Sequence, residues 1–221
     1  MTKYRKSKQQ PKDLKAHPKI FVWVHTEKAE INYFQEFKHY LKTALLLPRK
    51  AICWSPSELI EKVIAWKEKD KSGKQKFCEE DGDQIWCVFD VDDFYQKEPE
   101  KMLKAIKIAH SNNIKIAYSN ECFELWFLLH FEKPSGAIER GSQMGKKINK
   151  FFKKYRLGTF KKNQKIFSPL LPFQAEAIKH AYKITDEYGT IKWSCNLSGK
   201  GNPSTSIHFL IQEIINKLSN S

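Results

Sequence analysis

Three carboxylates within four positions close an apolar run at Ile85-Trp86-Cys87-Val88-Phe89-Asp90-Val91-Asp92-Asp93. The run is short, aromatic and partly β-branched, as a buried strand would be. Where a strand ends the chain turns, so Asp90 and Asp92 can enter one crevice rather than opposite faces. Hard cations such as Mg²⁺ take oxygen ligands of this kind, with substrate phosphate filling further positions. In open α/β sheets the crevice beyond the carboxyl ends of the strands is the usual ligand site. The structural alternative is that Asp92 and Asp93 only cap the helix that follows.

Two more strand ends carry polar chemistry. Ile20–Val24 runs into His25-Thr26-Glu27-Lys28-Ala29-Glu30, and Ile114–Tyr118 runs into Ser119-Asn120-Glu121-Cys122-Phe123-Glu124. Neighbouring parallel strands would bring all three ends to one edge of a sheet. Carboxylates from two such ends can hold one or two Mg²⁺ or Mn²⁺ ions, which together stabilise the attacking and leaving oxygens of a phosphodiester hydrolysis. His25 titrates near neutrality and suits a general base. Each residue also has a plainer use. Glu27 and Glu30 can complement a helix dipole, Glu124 can bridge to a lysine or arginine, and Asn120 can cap a helix. His130 lies in an apolar stripe and suits a hydrogen-bonded core position. His208 suits surface or packing. Trp126 and Phe127 read as core, while Tyr118 and Trp54 have the chemistry to stack on bases.

The acidic cluster stands out because the chain is basic. It has 39 Lys and Arg against 25 Asp and Glu, a net charge of +14 and a pI near 9.4. The positive charge is clustered. Residues 1–19 carry seven Lys or Arg against Asp13 alone, and residues 133–165 carry eleven against Glu139 alone. Such blocks suit phosphate backbones. The densest part offers Lys146, Lys147, Lys150, Lys153, Lys154, Arg156, Lys161, Lys162 and Lys165, interleaved with Phe151, Phe152, Tyr155 and Phe160. It reads as a nucleic-acid surface, with docking on an acidic partner protein as the alternative.

The five cysteines, at 53, 78, 87, 122 and 195, have neither zinc spacing nor a disulfide framework and fit a reducing cytoplasm. No apolar stretch reaches bilayer length. The N-terminal segment lacks the apolar core of a secretory signal.

Strands and helices must alternate to position these residues. Strands are expected at Ile20–Val24, around Lys50–Trp54, at Ile85–Phe89 and at Ile114–Tyr118. Helices are expected from Glu27 to about Leu41, Ser57 to about Lys69, and Pro99 to His110, each with apolar residues at helical spacing. This alternation predicts an α/β fold with a mostly parallel four-stranded sheet flanked by helices. Further helices are expected at Cys122–Phe131, around Met144–Tyr155, at Phe173–Tyr188 and at Ser204–Leu218. The chain thus divides into a basic flexible arm at 1–18, an α/β core at 19–131, and a basic helical extension at 132–221 packed on that core.

Four stretches resemble a known family. They are Glu27-Lys28-Ala29-Glu30-Ile31-Asn32-Tyr33-Phe34, Val88-Phe89-Asp90-Val91-Asp92, the long run from Ser119 to Phe131 (SNECFELWFLLHF), and Asn202-Pro203-Ser204-Thr205-Ser206-Ile207-His208. The chain resembles the RloB family, small proteins built on a Toprim-like core, over about residues 20 to 216. The resemblance implies a Toprim/Rossmann-like sheet, a site for Mg²⁺ (or Mn²⁺), nuclease activity on RNA or DNA, and a setting in bacterial anti-phage defence. It also implies a partner ATPase of the ABC or AAA type that controls the nuclease. Asp90, Asp92 and Glu30 would be the metal ligands, with Asp93, Asn120 and Glu124 in support. One departure stands out: the Toprim pattern ends its first strand in Glu-Gly, and here those positions are His25-Thr26. Then His25 acts as a base, or Glu27 or Glu30 takes over from the missing glutamate, or the chain is a catalytically degenerate subunit that binds nucleic acid or the ATPase without cleaving. Primase or topoisomerase work would need domains this chain lacks. The choice of RNA or DNA, the number of metals and assembly as a homodimer stay open.

Overall fold

A computed structural model describes residues 17–25, 29–70, 77–91, 97–138, 142–188 and 201–218. Glu27, Asp92 and Asp93 lie outside the described residues, as does most of the basic arm.

The first strand, β1 (Ile20–Val24), matches its apolar run. The helix α1 (Ala29–Leu41) buries Ile31, Phe34 and Phe37 at helical spacing and holds Glu30 in its first turn. The second strand, β2, is Leu46–Lys50 rather than the expected Lys50–Trp54. Pro48 hides it in the sequence, because proline donates no ladder hydrogen bond. β2 tolerates Pro48 because it forms one edge of the sheet, with a partner on one side only. The helix α2 (Pro56–Lys69) starts where Ser55 Oγ accepts the Glu58 amide at 3.2 Å. Then come β3 (Gln84–Asp90), α3 (Pro99–Ser111) and β4 (Ile114–Asn120). After β4 the described elements are α4 (Glu124–Leu129), α5 (Ser142–Lys154), α6 (Phe167–Leu170) with a 3₁₀ turn at Leu171–Phe173, α7 (Gln174–Tyr188), β5 (Ser204–Thr205) and α8 (Ile207–Leu218).

The fold is α/β, and its mostly parallel sheet has five described strands rather than four. The order is β2-β1-β3-β4-β5; the first four run parallel and β5 pairs antiparallel with β4. The extra strand comes from Ser204-Thr205, which the sequence suggests as the start of a helix. Competition between local and long-range bonding decides it. Thr205 Oγ1 donates to the Tyr118 carbonyl at 2.9 Å, and Ser206 Oγ accepts the Tyr118 amide at 2.9 Å. The same Thr205 oxygen accepts the Ile207 amide at 3.2 Å, so it joins β4 and opens α8 at once.

The sheet separates two cores. Ile20, Val22, Val24, Trp86 and Val88 face one side, against α1 and the helices that follow β4. Phe21, Ile85, Cys87 and Phe89 face the other, under α2 and α3. Alternation along each strand fixes which side chain goes where. The first core includes Ile148, Phe152, Phe167, Ile184 and Ile211, so residues after 131 share a continuous interior with the sheet.

Candidate functional site

Asp90 is the last residue of β3 and pairs with Ser119 of β4, so its side chain stands at the carboxyl end of two central strands. It follows Trp86 and Val88 in the alternation and therefore faces the side of α1 and α4. Glu30 enters from α1 and is almost wholly buried, at 2% exposure. Glu124 enters from the first turn of α4 and is also buried. These three carboxylates come from three elements far apart in sequence.

Lys162 pairs with one of them. Its ammonium lies 2.8 Å from Glu124 Oε1. Burial opposes its charge, but the hydrogen bond and charge of Glu124, together with the charges of Glu30 and Asp90, outweigh burial and raise its pKa above the ordinary lysine value. The Cys122 thiol belongs to the same neighbourhood: burial, then the negative charges of Glu124 and Asp90, push its pKa far up and keep it protonated. A fixed loop presents Lys162. Asn149 Oδ1 accepts the Phe160 amide at 2.8 Å, Asn32 Nδ2 donates to the Asn163 carbonyl at 3.1 Å, and Glu36 Oε2 accepts the Phe167 amide at 2.8 Å. Phe160 and Ile166 are buried on either side.

The donor chemistry of Glu30, Asp90 and Glu124 is that of a hard-cation site, all carboxylate oxygen. The cation paired with Glu124 is the chain's own Lys162 ammonium. Among the described residues, no group of three or more His, Cys, Asp or Glu side chains converges as a metal-holding set. Carboxylate oxygen is the kind of donor that Mg²⁺ or Mn²⁺ takes, and of the expected ligands Asp90 and Glu30 are described, without a third carboxylate that completes a metal-holding group.

His25 goes elsewhere. Its amide bonds to the Val88 carbonyl at 2.9 Å, continuing the ladder, so alternation turns its ring to the face of Phe21 and Trp23. There burial lowers its pKa, opposed by a hydrogen bond with the Trp54 backbone and by the charge of Glu58. The sheet thus lies between His25 and Asp90. Asn120 neither caps a helix nor faces the carboxylates: its amide donates to the Gly201 carbonyl at 2.7 Å. Glu121 Oε1 accepts from Asn202 Nδ2 at 3.0 Å. These bonds, with β5, explain why the Ser119–Phe131 and Asn202–His208 stretches occur together: they are neighbours in space.

The basic block divides. On α5, Met144, Ile148 and Phe152 are buried, while Lys146, Lys147, Lys150, Lys153 and Lys154 are exposed. At 100° per residue the five lysines fall within an arc about 120° wide. Arg156, with φ of 57°, ends the helix, and Lys161 and Lys165 are exposed beyond it. The aromatics mostly turn inward. Phe152 and Phe160 are buried, Phe151 stacks on Phe131 with ring centroids 5.1 Å apart, and Tyr155 alone of the four is exposed. Tyr118 is buried; Trp54 is 87% exposed. His130 is a core residue whose Nδ1 lies 2.8 Å from the Trp126 carbonyl, and His208 is buried against Tyr182 and Phe209. The sequence carries no local signal for the link between Lys162 and Glu124, because it joins a loop to a helix across the core.

Fold and site define an α/β protein with Asp90 at the carboxyl edge of its central strands, Glu30 and Glu124 buried on the same face of the sheet, and a basic helix packed on that face. A family model for RloB-like proteins matches residues 20–214, and the chain belongs to that family. No curated protein and no solved structure matches it. No helix among the described residues is long and apolar enough to cross a membrane.

Proposed function

We propose that this protein is a metal-dependent phosphodiesterase acting on RNA or DNA, with a Toprim-type site. The observation that carries the reading is Asp90 at the shared carboxyl end of β3 and β4, on the face of the sheet covered by α1 and α4, which bring the buried Glu30 and Glu124 to that face. Bound Mg²⁺ or Mn²⁺ would supply charge stabilisation and an activated water. The chain's residues do the rest. Asp90 and Glu30 hold the cation. The exposed lysines of α5 draw in the phosphate backbone. Family membership and the resemblance set out above support a role in anti-phage defence and control by a partner ATPase of the ABC or AAA type.

A second reading is favoured by two observations: alternation along β1 turns His25 to the opposite face of the sheet from Asp90, and Glu124 is already paired with Lys162. In that reading the protein binds nucleic acid or its ATPase without cleaving. The test is to incubate purified protein with labelled tRNA, single-stranded RNA and plasmid DNA, in Mg²⁺ or Mn²⁺, with and without an ATPase encoded beside it. Cleavage that Asp90→Ala lowers by about 100-fold or more, the equivalent of some 3 kcal/mol of transition-state stabilisation, supports the enzyme. Salt-sensitive binding with no cleavage under any condition supports the binding subunit.

A further inference from the structure

A cleft of about 390 Å³ lies between α1 and the segment that leads into α6. Gln35, His39 and Tyr40 line it from α1, and Lys165 and Ser168 from the other side. Positions 32, 35, 36, 39 and 40 form one stripe of the helix, set by the same period that buries Ile31, Phe34 and Phe37 on another. The walls are tied together. Asn32 Nδ2 donates to the Asn163 carbonyl at 3.1 Å, and Glu36 Oε2 accepts the Phe167 amide at 2.8 Å. Phe167 is buried and stacks on Phe37 with ring centroids 4.7 Å apart. Tyr40 leans on Phe167 from outside, at 5.6 Å, and is 54% exposed. Its ring is supported by the protein and still largely bare to solvent.

The lining combines an aromatic face, an amide, an imidazole, a hydroxyl and an ammonium. An adjoining hollow of about 460 Å³ shares Gln35 and His39 and adds Lys38, Lys42 and Thr43. Lys38, Lys42 and Lys165 therefore surround the region with positive charge, against the carboxylate of Glu36. An apolar ligand would leave the amide and the lysines unsatisfied, and a bare phosphate would not use the ring. A nucleotide uses all of them. A base stacks on an aromatic side chain, its edge bonds to an amide that both donates and accepts, and its phosphate meets the lysines. The volume lies within the usual range for small-molecule sites.

We propose that this cleft binds one nucleotide, with the base on Tyr40, the base edge on Gln35, and the phosphate at Lys165 in the field of Lys38 and Lys42. The nucleotide comes as a free molecule or as one unpaired unit of a strand; as part of a strand, the inference rests on the nucleic-acid reading above and adds a base-binding subsite to it. Tyr40 lies about 15 Å along α1 from Glu30. The cleft is thus a place of contact separate from the carboxyl edge of the sheet.

The experiment uses the full chain in EDTA, which prevents metal-dependent cleavage. Anisotropy of a labelled single-stranded oligoribonucleotide is followed across a range of KCl concentrations, and AMP, CMP, GMP and UMP are titrated by calorimetry. Tyr40→Ala is expected to weaken oligonucleotide binding about tenfold with an unchanged slope of log affinity against log salt, because stacking releases no counter-ion. Lys165→Gln is expected to weaken binding and reduce that slope by about 1. Tyr40→Phe, which keeps a stacking face, should bind as wild type does, and melting temperatures control for folding. A duplex of the same sequence should bind wild type and Tyr40→Ala equally, because its bases are stacked on one another. Mononucleotide binding that Tyr40→Ala abolishes identifies the free nucleotide as a ligand; a loss confined to the single strand assigns the cleft to a strand. Unchanged affinity for oligonucleotide and mononucleotides in Tyr40→Ala, or equal losses for single strand and duplex, would overturn the inference and leave the phosphodiesterase reading intact. Mononucleotide binding that depends on Tyr40, with no oligonucleotide binding by wild type, would sustain the cleft and overturn the nucleic-acid reading. Failure of the wild type to bind either would overturn both.

Discussion

Single residues here do what their environment allows, and histidine shows it most plainly. His130 and His208 were both expected away from chemistry, and both are buried. Burial lowers each pKa to about 4; for His130, hydrogen bonds with Trp126, Gln174 and Phe127 oppose the shift and the charge of His180 adds to it. The unfolded chain binds these protons near pH 6.5, so between 6.5 and 4 it holds more protons than the folded protein. Stability from these two residues is therefore complete above pH 6.5 and is lost as pH falls towards 4, by roughly 3 kcal/mol for each histidine. Guanidinium denaturation at a series of pH values should show His130→Asn losing about 3 kcal/mol less than wild type over that window; parallel losses in the two proteins would show that His130 does not titrate there. Glu124 was open in the sequence as either a site residue or a bridge to a basic side chain, and its ion pair with Lys162 shows the bridge.

Elements were legible where their periodicity was local, and obscure where a distant partner decided. β1, α1 and α2 lie within two residues of their expected bounds because apolar spacing and the Ser55 cap specify them. β2 was displaced because Pro48 reads as a break until its edge position is known. β5 was missed because two residues carry no period, and only the bonds to Tyr118 make Ser204-Thr205 a strand. Asp90 was legible at its strand end, whereas the face of His25 depended on how far the β1 ladder continues. The helix α5 was read for its charge, and the structure separates that pattern: Met144, Ile148 and Phe152 go in, and five lysines go out. If those lysines carry phosphate contacts, changing Lys146, Lys150 and Lys153 to Gln should weaken oligonucleotide binding. It should also reduce the slope of log affinity against log salt by about 2 to 3, since each lost contact releases fewer counter-ions. Fluorescence anisotropy across a range of KCl concentrations measures this. Weaker binding with an unchanged slope would place the contacts elsewhere. Thermal stability should hold, because all three side chains are exposed.

In the whole molecule, residues beyond 131 share one interior with the sheet. On the face of the sheet that bears Asp90, Trp126, Phe127, Leu128 and Leu129 of α4 are all completely buried, an arrangement that needs cover on every side of the helix. The cover comes from beyond residue 131. Phe160 lies 6.1 Å from the Phe127 ring and Phe167 5.2 Å from Tyr33. Tyr33 donates from its hydroxyl to Gln174 at 3.0 Å, and Ile207, Leu210, Ile211 and Ile214 fill the same interior. β5 then closes the free edge of β4. A fragment ending at residue 131 would expose the aromatic face of α4 and an unpaired β4 edge together, which invites aggregation. Expressed alone, residues 19–131 should therefore lack a cooperative melting transition and bind a hydrophobic dye, as a collapsed chain without fixed packing does. A sharp melt of that fragment would instead show that the sheet and its first helices form an independent domain. Within the full chain, Ile211→Ala probes the same dependence gently. It should cost about 2 to 5 kcal/mol in a urea titration, because Ile211 is fully buried in the shared core. That loss should shift the single transition rather than split it, because residues on both sides of position 131 line one continuous interior.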